Sequence, residues 1–87
     1  MSSVGNEVVT KEEALAWIAE LFQESPANLT PETPRDSIAS WDSLGVLTLM
    51  ADLDEKFGIV LSDKEMRAMV RVDDILAVLR EQGKLRS

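Results

Sequence analysis

From Thr10 onward the chain repeats apolar residues at helical spacing. In "TKEEALAWIAELFQE", Leu15, Ile18, Leu21 and Phe22 fall on one face, the three-to-four residue recurrence of an amphipathic helix. Thr10 and Glu13 stand in the Ser/Thr-x-x-Glu spacing of a capping box, so a first helix is predicted to begin after Thr10. The stretch "SPANLTPETPRDSIASW" then denies further helix, because Pro26, Pro31 and Pro34 each remove a backbone donor over Ser25 to Trp41. Those seventeen residues exceed the ~12 to 15 above which an unstructured connection in a compact domain usually has a function of its own or crosses the fold. Ile38 and Trp41 are the residues expected to pin it to the core.

The helical period returns at Asp42. Val46, Met50, Leu53 and Phe57 recur at spacings of four, three and four, with Leu47 and Leu49 widening the stripe. Leu44, Thr48, Ala51, Asp52 and Glu55 are predicted on the opposite face, and Gly58 is a natural stop. A second capping box, Ser62 to Glu65, opens a short third helix. Arg71 and Val72 interrupt it, and Asp73 and Asp74 suit the positive end of a fourth helix that carries Ile75, Leu76, Val78 and Leu79 and ends at Gly83. No segment alternates as a strand does. The expected fold is all-α: a small four-helix bundle with a short third helix and a long loop between the first and second helices.

Composition narrows what such a bundle can be. With 87 residues, 45% of them hydrophobic and 29% charged, the chain suits one small folded domain rather than a disordered segment. That domain is expected over residues 10–83, with a flexible N-terminal segment at 1–9 and a flexible tail at 84–87. No apolar run approaches the roughly 20 residues of a membrane span. "MSSVGNEVV" also lacks the basic start and apolar stretch of a signal peptide, so a cytoplasmic monomer away from membranes is expected. Sixteen acids against nine bases give a net charge of −7, which repels nucleic acid and anionic lipid and favours basic protein surfaces.

Cysteine and histidine are both absent. That removes disulfides, Cys/His zinc sites, thiol nucleophiles and imidazole bases, so no catalytic residue and no metal site is expected. "DLDEKFGIVLSD" begins like a calcium loop with Asp52 and Asp54, but Lys56 puts a cation at its fifth position and Phe57 occupies the sixth, where the sharp turn needs glycine.

One motif remains. "DSL" at Asp42 to Leu44 stands where the long loop meets the second helix, and "VLTLMADLDEKFGIVLSDKE" follows it. In this setting, over about Thr10 to Gln82, the chain resembles the acyl carrier proteins. The resemblance implies phosphopantetheine, taken from coenzyme A by a phosphopantetheinyl transferase and attached to Ser43, with Asp42 and Leu44 completing the tripeptide. It further implies acyl groups carried as thioesters. Acyl-activating, acyltransferase or synthase enzymes would dock on the second helix around Leu44, Thr48, Asp52 and Glu55, and Leu47, Met50, Leu53 and Ile59 would border an acyl cleft.

The residues themselves agree with that attachment point. Asp42 as a helix cap leaves Ser43 at the first position, beside unpaired backbone N–H groups and the positive end of the helix dipole, where a phosphodiester is welcome. Fatty acid carriers of this family tend to hold acids just after the tripeptide and midway along the second helix, whereas Gly45 and Thr48 stand here. That departure points to a specialised acyl, hydroxyacyl or aminoacyl pathway. An ordinary fatty acid carrier and a helical interaction module without a prosthetic group are the alternatives.

Overall fold

The structure, a computed structural model, describes residues 7–86. It contains four helices, α1 (Lys11–Leu21), α2 (Ser43–Phe57), α3 (Asp63–Arg67) and α4 (Val72–Glu81), in the order and proportions the sequence predicts. Both capping boxes form: the Glu13 N–H donates to the Thr10 hydroxyl and the Thr10 N–H to the Glu13 carboxylate, and Ser62 and Glu65 repeat the exchange at α3. Each box satisfies two backbone N–H donors that a helix start otherwise leaves to water.

The helices enclose one core. Trp17, Ile18 and Phe22 of the α1 region meet Leu49, Leu53 and Phe57 of α2, Met66 of α3, and Val72, Ile75, Leu76 and Leu79 of α4. Burying each large apolar side chain contributes about 1.5–3 kcal/mol. Two aromatic pairs tie the α1 region to α2 and to the long connection. Trp17 meets Phe57 edge-on at 5.2 Å, and Phe22 stacks on Trp41 at 5.1 Å with the rings 17° apart.

The long connection is stitched down rather than loose. Short 3-10 turns form at Pro26–Asn28 and Arg35–Ser37. Arg35 donates its backbone N–H to the Val70 carbonyl, while Val72 and Asp73 donate theirs to the carbonyls of Thr33 and Pro31. Ile38 and Trp41 are buried, as expected. The loop therefore crosses the start of α4 before it returns to α2.

Three details depart from the sequence expectations. The chain does contain strands, a two-residue parallel pair in which β1 (Val9–Thr10) lies against β2 (Leu85–Arg86). The described parts of the segments expected to be flexible at 1–9 and 84–87 are thus paired with each other, Val9 against Leu85 and Thr10 against Arg86, and Val9 is buried. Residues 1–6 and 87 lie outside the described residues. Helix α1 also stops before the prolines: Gln23 takes a left-handed φ of 58°, and the N–H groups of Gln23 and Glu24 return to the carbonyls of Glu20 and Ala19. That is a Schellman ending built on glutamine where glycine is usual.

Candidate functional site

Where the loop runs into α2, Asp42 has extended backbone and its carboxylate accepts the Gly45 N–H at 2.9 Å, the bond of an N-cap. Its carbonyl accepts the Val46 N–H at 2.8 Å. Ser43 is the first residue of the helix and is exposed. Among the described residues, no acceptor faces the backbone N–H groups of Ser43 and Leu44, so the positive end of a fifteen-residue helix is open beside the serine hydroxyl.

The residues behind Ser43 hold it by packing. Trp41, only 4% exposed, stacks on Phe22 and carries the Arg35 guanidinium 5.8 Å from its ring centroid. Arg35 also reaches the Met69 carbonyl at 3.4 Å. The Trp41 indole N–H is buried without an acceptor among the described residues, so no polar bond of its side chain fixes this ring.

On the other side of the tripeptide Gly45 is in close contact with the loop. A Cβ added to it would run into the carbonyl oxygen of Ser40 and would stand 3.3 Å from the Phe22 ring. Beside this contact lies a hollow of about 230 Å³ whose walls include Leu21, Gln23 and Thr48. Neither Gly45 nor Gln23 was expected to shape the site. A glycine inside a strong helical pattern was the available signal, since it costs about 1 kcal/mol against alanine there and so points to a packing or functional reason.

Helix α2 presents an outward face of Leu44, Leu47, Thr48, Ala51 and Glu55, all exposed. Leu44 and Leu47 are 72% and 62% exposed, a large apolar area for the surface of so small a domain. Thr48 donates its hydroxyl to the Leu44 carbonyl at 3.1 Å. Two expectations need correction. Asp52, placed among the partner-facing residues by sequence, turns towards α1, where its half-buried carboxylate accepts the Trp17 indole N–H at 2.9 Å. Leu47, expected at the acyl cleft, points outward: the core face is centred on Leu49, Leu53 and Phe57, and at 100° per residue Leu47 lies roughly a third of a turn from it. Met50 is half-buried, and Leu53 and Ile59 belong to the closed core at 0% and 4% exposure.

Among the described residues, no group of three or more acidic side chains is arranged to hold a metal ion, and no helix is long and apolar enough to cross a membrane. A capped helix start with an exposed serine and open N–H groups suits a covalently attached phosphodiester, since those N–H groups and the dipole favour an anion there.

No protein-family model matches the chain. Curated proteins do. The acyl carrier protein of Helicobacter pylori is 35% identical over 74 residues, which cover 85% of this chain and 94% of that protein. The acyl carrier protein of Myxococcus xanthus is 30% identical over 71 residues, 77% of this chain and 90% of its own length. The meromycolate extension acyl carrier protein of Mycobacterium tuberculosis is 29% identical over 77 residues, covering 84% of this chain and 67% of that protein. With an identity of 35% sustained over nearly the whole of a relative, the chain belongs to the acyl carrier protein family.

Proposed function

We propose that this protein carries acyl intermediates on a phosphopantetheine arm attached to Ser43 and delivers them to partner enzymes. The observation that carries the reading is the exposed Ser43 hydroxyl at the first position of α2, next to the open N–H groups of Ser43 and Leu44. In the loading reaction the Ser43 oxygen bonds to the pantetheine-side phosphorus of coenzyme A, the pyrophosphate link breaks, and the adenosine bisphosphate half leaves. A chain without histidine or cysteine offers no imidazole or thiolate base, and the serine proton goes to the phosphopantetheinyl transferase. Ser43 is thus a substrate residue, with Asp42 holding the helix start and the N–H groups of Ser43 and Leu44 receiving the phosphate charge. When bound, the group supplies a terminal thiol on which acyl groups are held as thioesters.

Partner enzymes dock on the outward face of α2. Leu44 and Leu47 give them apolar contact, and Glu55 with the net charge of −7 gives attraction to basic surfaces. An apolar cargo enters beside half-buried Met50, and contact with Leu53 and Ile59 requires the core to open. Thr48 leaves the middle of this face without acid, which favours a specialised acyl pathway over general fatty acid synthesis. The protein acts as a cytoplasmic monomer.

Intact mass after incubation with coenzyme A and a broad-specificity phosphopantetheinyl transferase tests the reading. A gain of one phosphopantetheine is expected. An unchanged mass under conditions that load a control carrier would favour the helical interaction module instead.

A further inference from the structure

Gly45 stands in the first turn of α2, where glycine is a poor choice on conformational grounds. Its φ is not left-handed, unlike those of Gly58 and Gly83, so the backbone does not demand it. Alanine would stabilise an ordinary helix position by up to about 1 kcal/mol. What excludes a side chain is the loop: the Ser40 carbonyl occupies the space of the missing Cβ, and the Phe22 ring closes the other side. The obstacle is backbone and cannot rotate away.

These contacts bracket the attachment point. Gly45 donates its N–H to Asp42, and its bare Cα receives Ser40, so the segment from Ser40 to Asp42 is held against α2 at both ends with Trp41 stacked on Phe22 between them. Trp41 is fixed there by packing, its N–H having no acceptor among the described residues. Moving Ser40 therefore moves Trp41 and the cap that precedes Ser43.

We propose that Gly45 is a positioning residue for Ser43: by lacking a side chain it lets the Ser40–Trp41 loop close onto α2, and that closure sets how the Ser43 hydroxyl is presented to the modifying enzyme. The inference rests on the attachment reading of Ser43. It differs from a docking role for this position, because the effect comes from the β-carbon and not from charge. Alanine and glutamate should do the same damage.

The test follows loading of the full chain by a broad-specificity phosphopantetheinyl transferase, with mass as the readout and carrier concentration varied. Gly45→Ala and Gly45→Glu are expected to lower kcat by roughly tenfold to a hundredfold, the range a misplaced reacting group produces. Partial unfolding would instead raise the apparent KM in proportion to the lost folded fraction and leave kcat unchanged. Gly83→Ala supplies that comparison: it strains a left-handed residue at the far end of the bundle, with open space around it, and should keep wild-type kcat. Phe22→Leu loosens the same closure without adding an atom and should lower kcat as the Gly45 variants do.

A second readout does not depend on modification. The Trp41 indole N–H resonance should shift in both Gly45 variants and stay in place in Gly83→Ala. Wild-type kcat in Gly45→Ala and Phe22→Leu with an unmoved Trp41 resonance would overturn the proposal. So would faster loading of Gly45→Glu with alanine neutral, which would make the position a matter of charge. Continued modification of Ser43→Ala is a separate failure that would remove the attachment reading, while the Trp41 resonance still decides whether Gly45 sets the loop.

Discussion

The indole N–H of Trp17 on α1 donates to the Asp52 carboxylate on α2 at 2.9 Å, while the ring of the same tryptophan packs edge-on against Phe57. Asp52 is therefore a structural acid. Asp52→Ala leaves the indole of a residue only 9% exposed without an acceptor, which should cost about 1–3 kcal/mol in denaturant unfolding. Asp52→Asn keeps an acceptor oxygen and should cost clearly less. Equal stability of the alanine variant and the wild type would reassign Asp52 to the solvated face.

Gln23 holds the left-handed position at the end of α1 that Gly83 holds after α4. A side chain in that conformation is strained by about 1–2 kcal/mol, partly offset by the greater unfolded-state freedom of glycine. Gln23→Gly should stabilise the protein by up to about 1 kcal/mol, a rise in Tm of roughly 4–8 °C per kcal/mol for a domain of this size. A lower Tm would mean that the Gln23 side chain contributes more than its backbone costs.

The Glu65 carboxyl is held below its ordinary value of 4.5, first by the Ser62 backbone N–H and then by the Ser62 hydroxyl, with desolvation opposing. A depressed folded pKa adds stability that is complete above the unfolded value and fades as pH falls through the folded one. Glu65→Gln should therefore reduce stability at neutral pH and flatten the acid limb of the stability profile below about 4.5, the value from which the group departs. An acid limb of unchanged slope would contradict this.

Thr48 is exposed on the outward face between Leu44 and Glu55, its hydroxyl hydrogen-bonded to the Leu44 carbonyl. Thr48→Glu should speed transfer by enzymes with basic docking surfaces by up to about fivefold, matching ~0.2–1 kcal/mol for an exposed pair. The gain should shrink at high salt. A gain indifferent to salt would show that charge is not its source.

Much of this was legible because it is local. Thr10 with Glu13, Ser62 with Glu65, and Asp42 before an apolar stripe are capping signals written within four residues, and all form as their spacing implies. What was not legible depends on where distant segments meet. The pairing of Val9 with Leu85 joins the two ends of the chain, and no alternation announces a strand of two residues. The stripe on α2 gave the core but not the side of it: Asp52 and Leu47 lie on its flanks, and only the position of α1 decides that one bonds Trp17 and the other faces out. Gly45 is the sharpest case. From sequence it is a missing acid, which glutamate could restore and alanine could control for; in the fold both substitutions meet the Ser40 carbonyl.

The central claim is that Ser43 is the residue that accepts the arm, and peptide-level mass spectrometry tests it most directly. Wild-type protein and Ser43→Ala are loaded side by side with coenzyme A and the transferase, after circular dichroism has established that the variant keeps its helices. The exposed hydroxyl at the start of α2 predicts one phosphopantetheine, on the peptide containing Ser43, and none on the variant. Phosphopantetheine retained by Ser43→Ala, or found on Ser37, Ser40 or Ser62 of the wild type, would contradict it.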